Sequence, residues 1–166
     1  MKNRSFIYHL LFAIIVLFTA SSCQKDNESY KVNSALITEK YWEVTSWIIQ
    51  PPLDVNGEKF TDLYAISLTC ITDNLIRFNA NGSVTMDEGA TKCNADAKQT
   101  TVGTWAFNDD ETEMNISLNG VIETYSIIEL TDALLKYSFL SENDITQPTV
   151  AYTNTITMVA QSSAMN

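Results

Sequence analysis

From Tyr41 onward the chain alternates with a period of two. Trp42, Val44, Ser46 and Ile48 fall on one side of the pattern, and Tyr41, Glu43, Thr45 and Trp47 on the other, which predicts a first strand. Pro51-Pro52 is expected to end it, because proline donates no ladder hydrogen bond. Residues 53–69 carry an Asn56-Gly57 turn and an apolar stretch over 63–68, and read as a long loop with partial strand. Leu75-Ile76-Arg77-Phe78 is a clearer strand. Asn79-Ala80-Asn81-Gly82 turns it, and residues 83–87 return as its hairpin partner. A polar stretch over 88–100 precedes a strand over 101–107. Asn108-Asp109-Asp110-Glu111 turns the chain into a strand over 113–118. Asn119-Gly120 is the strongest two-residue hairpin signal in the sequence and leads into 121–130. Strands over 134–140 and 150–159 complete the set. Ahead of them all, residues 34–40 are long enough for one helical turn, with Asn33 or Ser34 as its cap.

The count is about eight strands, at spacings close to the ~8–12 residues typical of sandwiches and barrels. Short sequential hairpins favour an up-and-down meander. Eight meandering strands close into a barrel that is either filled by side chains or holds one small ligand. A sandwich needs long crossing connections, and only the segments 49–73 and 141–149 have the length to supply them.

The first residues follow a different pattern. Lys2 and Arg4 precede an apolar run over 10–18, too short to span a bilayer of about 30 Å, and Ala20, Ser21, Ser22 and Cys23 follow it. This is a secretory signal over 1–22 ending in a loose lipobox. Cleavage before Cys23 is expected to leave a lipidated cysteine as the new N-terminus, and the acyl chains (palmitate among them) are then the membrane anchor. No later segment is apolar enough to span a membrane. Gln24, Lys25, Asp26, Asn27 and Glu28 resemble the surface-export tag of Bacteroidota lipoproteins. The expected address is therefore the outer membrane, on the cell surface, with the periplasmic face as the competing reading. Residues 23–33 read as a polar tether and 34–161 as the folded domain.

Cleavage changes the composition. The whole chain has 166 residues, 20 acidic and 10 basic side chains and a net charge of −10. Two of the bases and none of the acids precede Cys23, so the mature chain carries −12. That argues against nucleic-acid binding, which needs a basic face. The single histidine, His9, leaves with the signal, so catalysis through Ser-His-Asp or Cys-His pairs and histidine-ligated metal sites are excluded. With Cys23 lipidated, Cys70 and Cys93 remain as one pair in an oxidising compartment. A disulfide is the natural expectation, and two buried thiols are the alternative. The acids Asp109, Asp110, Glu111 and Glu113 lack the spacing of a calcium loop and read as a solvated hairpin tip. No metal, cofactor or catalytic residue is expected.

Tyr41-Trp42-Glu43-Val44, Cys70-x-x-Asp73-Asn74, Phe78-Asn79-Ala80-Asn81-Gly82, Cys93 and Gly103-Thr104-Trp105 occur in an order and spacing that resembles the lipocalin-like domain of Bacteroidota lipoproteins. The resemblance spans about residues 34–160. It implies an all-β, eight-stranded antiparallel up-and-down barrel with one disulfide between Cys70 and Cys93. One departure stands out: Lys40-Tyr41-Trp42 occupies the place where the family has Gly-x-Trp, which bears on how the barrel floor closes.

The candidate ligand-binding residues are Trp42, Trp105, Tyr137 and Tyr152. The tryptophans offer rings for stacking, with a core plug as the alternative, and the tyrosines (Tyr125 with them) offer hydroxyls. Ser46, Thr104 and Asn154 are expected interior polar positions. Two functions follow. The first is a monomeric, lipid-anchored barrel that binds a small lipophilic or glycan-derived ligand. The second is a filled barrel that presents its loops, above all 49–73, to a protein or polysaccharide partner.

Overall fold

The computed structural model describes residues 32–141 and 150–161. The signal sequence, Cys23 and the tether as far as residue 31 lie outside them. A short helix α1 (Val32–Ile37) precedes strand β1 (Tyr41–Val55), which turns into β2 (Glu58–Asp62). A connection holding the single-turn helix α2 (Thr69–Thr72) leads to β3 (Leu75–Phe78) and β4 (Ser83–Asp87). Then come β5 (Thr100–Phe107), β6 (Glu113–Leu118), β7 (Val121–Leu130), β8 (Leu134–Ser141) and β9 (Tyr152–Gln161).

All the pairings between these strands are antiparallel. Strands β3 to β9 follow one another around the sheet, and β9 pairs with β1 from Tyr41↔Gln161 to Gln50↔Thr153. Strand β1 also pairs with β3 at Tyr41, Trp42 and Glu43, so eight strands close into a barrel and their edges are consumed. Among the described residues there is one strand more than the ring needs. This is β2, which lies outside it on the far end of β1.

Strand β1 therefore continues past Pro51-Pro52, contrary to the expectation that these prolines end it. They fall where the β1–β2 register shifts, between Ile48 and Leu53, a stretch in which no ladder N–H is demanded of them. The Gln50–Pro51 peptide bond is cis. Beyond it, Asn56 and Gly57 both have positive φ and close a two-residue hairpin.

One end of the barrel is solid. Ile37, Trp42, Phe78, Val84, Met114, Leu135 and Met158 are essentially inaccessible, and Trp105 is 8% exposed. Each fully buried large apolar side chain contributes about 1.5–3 kcal/mol. Helix α1 underlies this floor. The Trp42 indole N–H donates to the Ile37 carbonyl at 2.8 Å, and the Trp105 indole N–H donates to the Asn79 carbonyl at 3.0 Å. The rings of Phe78 and Trp105 meet edge-to-face at 5.3 Å. Lys40 lays its ammonium 5.7 Å from the Trp42 ring centre and donates to the Asp132 carbonyl at 3.0 Å. It ties the start of β1 to the β7–β8 turn on the outside of the floor.

The period-two reading of β1 holds only as far as Val44. A bulge at Thr45 shifts the register against β9 between Val44 and Ser46. A one-residue bulge exchanges the faces beyond it. Trp47 and Ile49, not Ser46 and Ile48, then point inward, with Trp47 opposite Ile156. Of the three polar positions expected inside, Asn154 is interior at 2% exposure. Thr104 is exposed on the outer face of β5, and Ser46 is turned outward by the bulge.

Gly103 lies inside β5, two residues before Trp105, where the neighbouring strand leaves no room for a side chain. A Cβ there would stand 2.1 Å from the Ser117 carbonyl oxygen on β6. Gly103→Ala is expected to cost about 2 kcal/mol through overpacking. Thr104→Ser, one position along on the outer face, should stay within about 0.5 kcal/mol. Urea unfolding of the two variants tests the difference.

Candidate functional site

Above the floor the barrel is hollow. A cavity of about 230 Å³ lies between the strands. Its walls follow from alternation, since each lining residue sits two positions from a floor residue or continues that row. Ile76 lies above Phe78, Met86 above Val84, Tyr137 and Phe139 above Leu135, and Ile156 above Met158. Val44 and Trp47, on either side of the bulge, supply the wall from β1. One side is aromatic. Tyr125 meets Tyr137 edge-to-face at 5.0 Å and Phe139 at 5.5 Å. Val44, Ile71, Ile76, Met86 and Ile156 supply the aliphatic part of the lining.

The cavity is covered by the connection from β2 to β3. Tyr64, Ser67, Ile71, Thr72 and Asn74 come from this segment. It crosses the place where β1 leaves β3, and it is held to β1 by the Leu63 N–H donating to the Trp47 carbonyl at 2.8 Å. Ile71 lines the cavity and is still 47% exposed, which puts the mouth at α2. Cys70 of α2 is disulfide-bonded to Cys93, with Cα atoms 5.1 Å apart. The Asp73 carboxylate accepts from the Thr91 N–H at 2.9 Å and from its hydroxyl at 2.7 Å. The cover is thus fastened both to β1 and to the polar 88–99 loop.

Few polar groups face this space. The Trp47 indole N–H donates to the Asn154 side-chain oxygen at 2.8 Å, and the Asn154 amide donates to the Ser141 hydroxyl at 3.0 Å, so this chain is satisfied within itself. The Ser67 and Thr72 hydroxyls donate to backbone carbonyls of their own segment. Asn74 is different: its side-chain oxygen is buried and accepts no hydrogen bond. The Tyr125 hydroxyl donates to the Glu123 carboxylate. Burial, and then the neighbouring Glu123, push both the Tyr125 and Tyr137 phenols well above the usual tyrosine range. Both are neutral at physiological pH.

Of the residues the sequence offers to a ligand, Tyr137 and Tyr125 line the cavity. Trp42 and Trp105 lie in the floor below it. Trp105 also reaches the edge of an outer depression of about 700 Å³ between α1 and the β5–β6 turn. Tyr152 is buried on β9, outside the cavity lining. Sequence reasoning missed Trp47, Phe139 and Asn74. Phe139 was open to discovery, since it continues the alternation through Leu135 and Tyr137. Trp47 was hidden by the bulge and Asn74 by the irregular cover.

A closed meander barrel with a packed floor and a covered apolar cavity defines a class of small-molecule binding proteins, the calyx type. The lipocalin-like domain family matches residues 37–137, and the chain belongs to that family. The match stops within β8, so β9, which closes the barrel, is supplied by the structure. No curated protein matches the chain.

Two outcomes are expected. Joint Cys70→Ser and Cys93→Ser replacement should lower stability by about 3 kcal/mol in the chain-entropy model for a loop of this length, read from the denaturant midpoint. Tyrosinate absorbance should show the Tyr125 and Tyr137 phenols ionising well above the usual tyrosine range. The sign follows from linkage. The folded state keeps these phenols neutral, so their contribution is complete below about pH 10 and is lost as pH rises beyond it, where the unfolded chain releases the protons.

Proposed function

We propose that this protein is a lipid-anchored binding protein of the cell envelope, acting as a monomer, that holds a small lipophilic molecule, or the apolar part of a glycan-derived one, in its upper barrel. The observation that carries the reading is the covered apolar cavity above a solid floor. Apolar side chains left facing empty space forgo packing contacts, and a ligand of the right size restores them. The family supports this, because the lipocalin-like barrel is in general a binding fold and not a catalytic one.

The anchor rests on the sequence: the basic residues Lys2 and Arg4, the apolar run and the small residues before Cys23. Placement in the outer membrane, exposed on the cell surface, rests on the residues that follow Cys23. A wholly filled barrel working only through its loops accords less well with a hollow upper half.

Native mass spectrometry of the protein taken from its host membranes tests the reading as a whole. The expected spectrum shows acyl mass on the N-terminal cysteine and a further noncovalent mass that is absent from Met86→Trp, in which the larger ring occupies the cavity. A protein of unmodified mass at Cys23 refutes the anchor. A spectrum without bound mass in repeated preparations refutes the ligand.

A further inference from the structure

We infer that the cavity takes a compact alkylammonium cation, with Glu123 at its rim as the counter-charge, in preference to a neutral molecule of the same shape. This deepens the proposed binding function, whose ligand it names by charge, and rests on it.

Size sets the first limit. About 230 Å³ exceeds the ~150 Å³ apolar cavity that takes up benzene and falls short of the ~300–1,000 Å³ typical of drug-sized ligands. An ammonium head with a short arm fits within it, and a long acyl chain or a whole sugar does not. The walls give the second limit. Trp47, Tyr64, Tyr125, Tyr137 and Phe139 all line this small space. Tyr125 meets Tyr137 and Phe139 edge-to-face, and in each such pair the ring that presents its edge keeps its own faces uncovered by its partner. A cation within about 6 Å of a ring centre, over its face, is drawn by the ring quadrupole. A neutral molecule of the same shape gains only dispersion there. Alkyl groups on the nitrogen suit such walls, because they set the charge behind an apolar surface.

Charge gives the third. Glu123 precedes Tyr125 by two positions, so alternation puts both on the inner face of β7. Strand β7 meets the floor at Leu130, opposite Leu135, so Glu123 stands one step nearer the mouth than Tyr125. It is exposed there, and its carboxylate accepts from the Tyr125 hydroxyl. Among the described residues no cation pairs with it, and no lysine or arginine lines the cavity. Its field reaches inward: after burial, it is Glu123 that holds the Tyr137 phenol neutral. The same field stabilises a cation at that place and repels a carboxylate. The net charge of −10 on the chain favours the approach of cations as well. Tyr137 itself gives the fourth. It lines the cavity at 8% exposure, and its hydroxyl makes no hydrogen bond among the described residues yet keeps open surface. That oxygen is free to accept an ammonium N–H, or to face the polarised methyl groups of a quaternary nitrogen.

The test is a calorimetric titration of the full-length protein with choline and with 3,3-dimethylbutan-1-ol, which puts carbon in place of the charged nitrogen and keeps the shape. Glu123→Gln and Met86→Trp serve as variants. Choline should bind the parent protein at least about tenfold more tightly than the alcohol. Glu123→Gln keeps the size of an exposed side chain and an oxygen for the Tyr125 hydroxyl. It should weaken choline about fivefold and leave the alcohol unchanged. Met86→Trp should abolish both. Equal affinity for the two probes, a preference that Glu123→Gln leaves intact, or choline binding that survives Met86→Trp overturns the inference. Binding of the alcohol alone, lost in Met86→Trp, overturns it too but leaves the cavity as a binding site. If neither probe binds, the inference falls, and the binding function falls with it when no host-derived mass accompanies the protein.

Discussion

The fold depends on β1 serving three partners in turn. It takes β9 along Tyr41–Gln50, β3 at Tyr41–Glu43 and β2 from Ile48 outward. Barrel closure requires that the first and last strands of the meander meet, and the β1–β9 ladder is the longest pairing among the described residues. Without it, β1 and β9 would expose long rows of unpaired N–H and C=O groups, and the core would open along a seam. The bulge at Thr45 lets one strand do all this. It adds twist where β1 must leave β3, and it turns Trp47 toward the interior that Trp42 has already entered.

That change of phase divides the barrel into two halves. Below it Trp42 packs with Phe78, Met114 and Met158, and α1 seals the end through the Trp42–Ile37 hydrogen bond. Above it Trp47 is drawn aside by its bond to Asn154, and the barrel centre stays open. The order matters energetically. A small domain has little stability to spare, so a void is tolerable only where other layers are fully packed. The dry floor carries the fold, and the upper half is free to carry a ligand.

Much of the barrel was legible because its turns are written in local chemistry. Asn119 and Gly120 both take positive φ, so β6 and β7 could be placed to the residue. The same holds for Asn56 and Gly57, although the strand on their far side was read only as partial. What stayed hidden depends on distant partners. Nothing in Glu43-Val44-Thr45-Ser46 marks a bulge, since its cause is the need to pair with β9 some hundred residues later. Pro51 and Pro52 carry the usual mark of a strand end, and only the irregular register with β2 lets β1 run through them. The candidate site shared this fate. Tyr137 lies on a regular strand whose alternation points it inward, but Asn74 lies in a connection whose path is set by tertiary contacts.

That connection could not hold itself in place. Helix α2 has four residues, no buried side chain and no side-chain cap, far below the length at which a helix is stable alone. Its position comes from the Cys70–Cys93 link, from Asp73 gripping Thr91, and from Gly89, where a Cβ would stand 2.1 Å from the Asp73 carbonyl oxygen. The three constraints lie within a few residues of one another, at the one place where the ladder between β1 and β3 runs out. The other neighbouring strands of the ring are joined by antiparallel ladders. Here a covalent bond and a carboxylate replace them, so the cover over the cavity has a fixed shape while the wall beneath it remains open. The disulfide thus belongs to the mouth of the site as much as to the stability of the fold.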